Sequence, residues 1–314
     1  MTTTTSVDLG TIDNLPHTVK PERRKVSIGR IAAWTALILM IIATLFPFYW
    51  MLRTALSTTK SLFSDPGSLL PVDPTLGAFR RVLGLSTPEE AITQGGSGGQ
   101  INFLLYLRNS IVYSTVTTVG QIFFCSLAAY AFARLTWPGR DKVFVLFLTA
   151  LMVPPIFTAL PNFILVKNLG LLNTLTGLVL PGMLMSPFAI FFLRQFFLGI
   201  NKEIEEAASI DGAGVWRVFF RIILPMSIPP ITTLAILTFI ASWNDYFWPL
   251  LVGNTEGTKV LTVALGVFRS QSPGGSPDWA GLMAASLVAA LPLLILFAIF
   301  GKKVVNSIGF SGMK

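Results

Sequence analysis

Between Arg30 and Arg53 the chain reads IAAWTALILMIIATLFPFYWML, residues 31–52, without one Asp, Glu, Lys or Arg. A hydrocarbon core of about 30 Å takes about 20 residues of α-helix to cross. Backbone groups in lipid find no water, so they must be satisfied inside the segment itself. A stretch of this length and character is therefore a membrane-crossing helix. The intervals 109–133, 143–166, 168–193, 222–244 and 279–301 share the property. Together they predict an all-α, polytopic membrane protein with six transmembrane helices. The composition agrees: 53% of residues are hydrophobic and 12% charged, against about 25% charged in soluble domains, which excludes a soluble enzyme.

The charges between the spans orient the chain. Lys20, Arg23, Arg24, Lys25 and Arg30 precede the first span; Arg134, Arg140 and Lys142 follow the second; Arg194, Lys202, Arg217 and Arg221 follow the fourth; Lys302, Lys303 and Lys314 close the chain. The alternate connections are poorer, with Arg53, Lys60, Arg80, Arg81 and Arg108 spread through one long segment, then Lys167, Lys259 and Arg269. The positive-inside rule then places both termini in the cytoplasm. The expected organisation is a cytoplasmic tail over 1–29, a first transmembrane helix over 30–53 and an extracytoplasmic segment over 54–108. A core of five transmembrane helices over 109–301 and a cytoplasmic tail over 302–314 complete it. Within the core, 194–221 is the longest cytoplasmic loop and 245–278 the main outer one. The run Gly95-Gly96-Ser97-Gly98-Gly99 reads as a flexible insertion in the outer segment.

Several chemistries are absent. Cys125 is the one cysteine and His17 the one histidine, so neither a disulfide nor a histidine-based metal or triad site is available. No GxxxxGK[ST] occurs, so the chain holds no ATP in a P-loop of its own. The net charge of +8 is spread over loops without an RNA-binding motif or zinc spacing, and no nucleic-acid partner is expected. The polar residues before the first span, and that span's length, do not read as a cleavable signal. Pro154, Pro155, Pro161, Pro181, Pro187, Pro225, Pro229 and Pro230 predict kinks or breaks in the third, fourth and fifth spans. Helices of that kind line cavities or pack on neighbours. The spans contain no acidic or basic residue, whereas ion-coupled carriers use such groups at mid-membrane. A transport pathway powered by another subunit is the expectation.

The loop 194–221 carries the most information. Asn201 is placed to cap a short helix, Glu203, Glu205 and Glu206 fall in its first turns, and Gly212 fits a left-handed terminus. So short a helix is marginal alone and is expected to dock on a partner. Ala207 and Ala208 would give it a smooth face, with Glu206 offering a charge to a basic residue. Past the break, 215–223 begins a second helix that enters the fifth span and bends at Pro225.

Glu206-Ala207-Ala208, Gly212 three residues on, then Ile222, Leu224 and Pro225 reproduce the E-A-A-x3-G-x9-I-x-L-P pattern. In this the chain resembles the permeases of binding-protein-dependent ABC importers. Asn109-Ser110, Ala128 to Arg134, Gly170-Leu171-Leu172-Asn173-Thr174 and Trp243-Asn244-Asp245-Tyr246-Phe247-Trp248 are similar to the carbohydrate-uptake branch, specifically the shorter permease of maltose-type systems. The resemblance implies a type I ABC importer permease fold in the plasma or inner membrane of a prokaryotic cell. It implies a second homologous permease as heterodimer partner, an ABC ATPase dimer that binds ATP and Mg, an extracytoplasmic solute-binding protein, and surrounding membrane lipid. No catalysis and no bound cofactor or metal are expected of this chain itself. ATPase coupling would fall to Glu206, Ala207, Ala208, Asp211, Gly212, Ile222, Leu224 and Pro225. Ser270, Gln271, Ser272, Pro273, Gly274 and Gly275 correspond in order to the loop that reaches into the binding protein. The tail from Gly309 to Lys314 is similar to a short Gly-rich end that contacts the ATPase, though its last residues depart from the usual pattern. Gln121, Tyr130, Asn162 and Asn173 bear the amides and rings that suit a sugar, and would serve equally as interhelical hydrogen bonds. The alternative reading is an autonomous secondary carrier or channel for a small polar solute.

Overall fold

The computed structural model describes residues 28–96, 101–266 and 277–309, with the side chains of 302–309 left aside. The chain divides into two compact units at Tyr49 and Trp50. The first contains most of α1 (Ile28–Ala55), a single helix that passes through Pro47. The second begins with the last turn of α1 and contains everything that follows.

In the second unit, three short helices, α2 (Thr59–Ser64), α3 (Gly77–Val82) and α4 (Pro88–Thr93), precede the long α5 (Phe103–Arg134). Then come α6 (Arg140–Ala150) and α7 (Pro155–Asn168), α8 (Leu175–Leu184) and α9 (Pro187–Leu198), and the short α10 (Lys202–Ile210). Next are α11 (Val215–Val218), a π turn at Phe219–Ile223, α12 (Leu224–Met226) and α13 (Ile228–Trp243). The helices α14 (Phe247–Val252), α15 (Leu261–Ala264) and α16 (Trp279–Gly309) complete the order, with no strand among the described residues.

By length and apolarity α1, α5 and α16 cross a membrane singly, and three bent pairs bring the crossings to six. The pairs bend by 103° between α6 and α7, 41° between α8 and α9, and 76° between α12 and α13. Each break falls beside prolines. Pro155, Pro187 and Pro229 occupy the first turns of α7, α9 and α13, where the missing N–H is not needed. The expected breaks in the third, fourth and fifth spans are thus present. Pro161 and Pro181 remain inside helices. The second span starts earlier than its uncharged interval: α5 opens at Phe103, where the Asn102 side chain accepts from the Leu105 N–H. A charge-free criterion marks what lipid covers, while the helix continues past it through Arg108.

α5 is the helix against which α8, α9 and α13 all pack. Its crossing with α8 depends on small residues. A Cβ on Gly120 would lie 2.8 Å from Met183 Cβ, so only glycine permits that approach. Buried side chains cluster at both ends. Tyr130, Phe132, Leu193, Phe197, Phe219 and Ile223 fill the end where α5 terminates. At the other end Val82, Phe103, Tyr106, Trp243 and Leu261 join the first turns of α16.

Polar side chains fix that second end. Asp278 is fully buried and accepts from the Gly281 N–H at 2.8 Å, so it caps α16. It also accepts from Thr59 Oγ1 at 2.8 Å and pairs with Arg81 at 3.2 Å, while Arg81 Nη1 donates to Gln94 Oε1. One carboxylate therefore ties α2, α3 and α16 together. Asn109 Nδ2 donates to the carbonyls of Gly257 and Lys259, each at 3.0 Å, and Ser110 Oγ accepts from the Leu261 N–H. This pins the loop between α14 and α15 to α5. Asp245 accepts from Tyr113 Oη at 2.8 Å and from the Trp248 N–H.

Two residues of the glycine run have a defined local role. Gly95 and Gly96 close α4, their N–H groups donating to the carbonyls of Ile92 and Ala91. Residues 97–99 of the run lie outside the described residues.

Asp278→Ala removes one partner of a buried pair together with the α16 cap, and should cost about 3–5 kcal/mol. Asp278→Asn keeps an acceptor for the cap and should cost less. Thermal unfolding of the two purified variants in detergent checks the order.

Candidate functional site

The connection between α9 and α11 forms a capped helix with no fully buried residue, packed by one face on the core. Asn201 Oδ1 accepts from the Glu203 N–H at 3.2 Å and opens α10. At the other end the Gly212 N–H donates to the Ser209 carbonyl and the Ala213 N–H to the Ala208 carbonyl at 2.9 Å, with Gly212 at φ +78°. These are the two bonds of a Schellman ending. A Cβ on Gly212 would meet nothing within 4 Å, so its requirement for glycine is purely conformational.

Only Glu205 and Ala208 of α10 are partly buried; the remaining positions are exposed. Three residues apart, those two share one face of the helix. Ala208, together with Ala213, packs against the inner cluster around Phe197 and Phe219. Of the two alanines expected to form a smooth outward face, Ala207 therefore does so and Ala208 turns inward. Glu206 and Asp211 are exposed, and Ile210 is 87% exposed.

Glu205 faces Arg134, the last residue of α5. Its Oε1 lies 3.0 Å from Arg134 Nε, an ion pair without the alignment of a hydrogen bond, and the Arg134 side chain is only 3% exposed. Arg134 Nη2 also donates to the carbonyls of Phe197, in the last turn of α9, and of Ile200, just past its end. Burial pushes the Glu205 carboxyl above the usual carboxylate range, and Arg134 and Lys202 draw it back only in part. A carboxyl raised in the fold favours folding while protonated, and that contribution is lost as pH rises through its raised pKa. The Glu205 charge thus specifies a position more than it stabilises the fold. Sequence reasoning missed the pairing of Arg134 with Glu205, because two residues far apart in the chain carry no signal of contact.

Beyond Gly214 the helix passes through the π turn. The Leu224 N–H donates to the Phe219 carbonyl. Pro225 brings no N–H to the α-helical ladder, and the wider turn accommodates it. Ile222 and Leu224 are half-buried and Pro225 exposed. Leu224 and Pro225 line an apolar groove of about 470 Å³, opposite Val119, Ile122 and Phe123 of α5.

The four residues with sugar-suited side chains do not line this groove. Gln121 Nε2 donates to Thr238 Oγ1 at 3.3 Å and joins α5 to α13. Tyr130 is buried, its ring 5.1 Å from that of Phe219. Asn162 is half-buried on α7. Asn173, at φ +57°, accepts from the Asn254 N–H and donates its own N–H to the Val252 carbonyl, locking two loops together. Ser270, Gln271, Ser272, Pro273, Gly274 and Gly275, and the tail residues 310–314, lie outside the described residues. Among the described residues no group of His, Cys, Asp and Glu could hold a metal ion.

The profile of the family described as "Binding-protein-dependent transport system inner membrane component" matches residues 121–308. The chain belongs to this family. It is a multi-pass membrane protein, a transport permease of the kind its sequence resembles. The arabinooligosaccharides transport system permease protein AraQ of Bacillus subtilis is 32% identical over 92% of this chain and 97% of its own. The sn-glycerol-3-phosphate transport system permease protein UgpE of Pectobacterium atrosepticum is 33% identical over 83% of this chain and 89% of its own. A bacterial ABC transporter involved in the import of the acidic polysaccharide alginate contains a chain of the same fold. The two superpose with a TM-score of 0.70 at 23% identity, over 89% of this chain and 97% of that one.

Gly212→Ala should disturb the end of α10 by about 1–2 kcal/mol through the left-handed backbone alone. Gly212→Asn should be milder, since asparagine tolerates that region. Proteolysis at 210–214 in the purified protein should follow the same order.

Proposed function

We propose that the chain is one permease subunit of an ATP-driven importer that carries a sugar, oligosaccharide or related solute into the cytoplasm. The observation that carries the reading is α10. This doubly capped helix holds the E-A-A pattern and presents Glu206, Ala207 and Ile210 to the outside. A nine-residue helix that exposes apolar and acidic side chains together is built to meet another protein. In this reading α10 enters a cleft on an ABC ATPase, Glu206 pairs with a basic residue there, and Asp211 and Gly212 set the turn that follows. Ile222, Leu224 and Pro225 relay movement into the fifth span through the π turn. The ATPase dimer binds ATP and Mg. A second, homologous permease completes the pathway, and an extracytoplasmic binding protein delivers solute to the loop at Ser270–Gly275. The basic residues of the connections on the α10 side set that side, and both termini, in the cytoplasm.

The solute class rests on the named relatives, whose cargoes of arabinooligosaccharides and glycerol phosphate share hydroxyl-rich chemistry. Gln121, Tyr130, Asn162 and Asn173 remain the side chains suited to such a solute, in a conformation that frees them from the contacts described above.

Purification of the full chain in mild detergent from its native membrane should bring down a second permease and an ATPase. Recovery of the chain alone, still active under an ion gradient, would sink the importer reading in favour of a self-sufficient carrier. Glu206→Ala should leave membrane insertion intact and weaken ATPase association by about 2 kcal/mol, roughly 30-fold. Unchanged association would remove Glu206 from the contact.

A further inference from the structure

The chain tethers α10 at its two ends, through 199–201 and 211–214, and such tethers fix a helix axis but not its rotation about that axis. Rotation is set by the side chains that face inward, Glu205 and Ala208. Ala208 offers a single methyl group to the inner cluster. Glu205 instead meets a guanidinium that cannot follow it freely, since Arg134 Nη2 is already bonded to the carbonyls of Phe197 and Ile200. The end of α5, the end of α9 and the first turns of α10 therefore converge on one buried cation. The covalent route from α10 into the membrane is not a single straight helix. It runs through the π turn and then a 76° bend before α13. α5, by contrast, is unbroken from Phe103 to Arg134 and packs on α8, α9 and α13.

We propose that Arg134 and Glu205 form a pin that holds α10 and α5 as one body, so that a displacement imposed on α10 reaches α5 directly. Both are positioning residues, and the proposal rests on the reading of α10 as the ATPase contact. A buried pair of this kind contributes specificity of arrangement more than stability. Arg134 keeps the carbonyls of Phe197 and Ile200 as partners when the Glu205 charge is removed, so the variant should remain folded. The pin also accounts for the outward aim of Glu206, which stands about 100° around the helix from Glu205.

The test uses the full-length chain assembled with its second permease and ATPase in nanodiscs. Spin labels are placed at Ser209→Cys on α10 and Thr136→Cys just beyond α5; both positions are exposed, and the native Cys125 is buried. Their separation is measured without nucleotide and after trapping with ATP, Mg and vanadate. In the otherwise native chain it should hold to within about 2 Å, the scale of small helix adjustments. In Glu205→Ala it should shift or broaden by about 5 Å on trapping, with the ATPase still bound in native amount. Glu205→Gln keeps an acceptor for Arg134 and should restore most of the native behaviour, which a requirement for bulk alone would not predict for Glu205→Leu. A native separation that changes by about 5 Å on trapping, or a Glu205→Ala variant that behaves like the native chain, overturns the pin. Loss of the ATPase from Glu205→Ala also overturns it, because Glu205 would then serve docking. If the native chain itself brings no ATPase, the importer reading fails first and the pin fails with it.

Discussion

A backbone that enters lipid must satisfy its own hydrogen bonds, and this constraint governs the rest of the structure. It leaves helices as the only way across and makes every proline an event. Where prolines open a new helix, at Pro155, Pro187 and Pro229, the span divides into two segments at an angle. α5 contains no proline and stays straight enough to serve as the support for the broken pairs. The glycine at its crossing with α8 lets backbones approach where a side chain would hold them apart.

Polar side chains then do at the two ends what apolar packing cannot do in lipid, which is to choose one register among many. Asp278 and Arg81 join the outer helices to α16, Asn109 and Ser110 fasten the loop after α14, and Arg134 gathers α9 and α10 at the far end of α5. Each is a buried side chain with a partner on another segment, and the cost of leaving it unpaired makes the arrangement specific. The coupling reading of α10 depends on such an arrangement, since Glu206 faces outward while Glu205 is held against Arg134.

Much of this was legible beforehand. Uncharged intervals longer than a bilayer's thickness located the six crossings, the prolines located the breaks, and Asn201 and Gly212 marked both ends of α10. These are local properties, written in consecutive residues. Less legible was anything that required two distant segments to meet. Ala208 could not be told from Ala207 until the rotation of α10 was known, and the glycines at 95 and 96 looked like slack until their N–H groups were seen closing α4. The start of α5 was also hidden, because a helix does not end where its lipid-facing part ends.

By itself the sequence determined that this chain crosses a membrane six times, that three of the crossings are broken, and that a capped acidic helix hangs between the fourth and fifth. Length, charge and backbone chemistry act within a few turns, so they need no partner to be read. Only the tertiary structure decided which face of α10 points outward and which cation holds it. It also decided that Gln121 and Asn173 spend their amides on neighbouring helices and loops. Those outcomes depend on directions set by the packing of α5, and direction in space is not a property that any single segment carries.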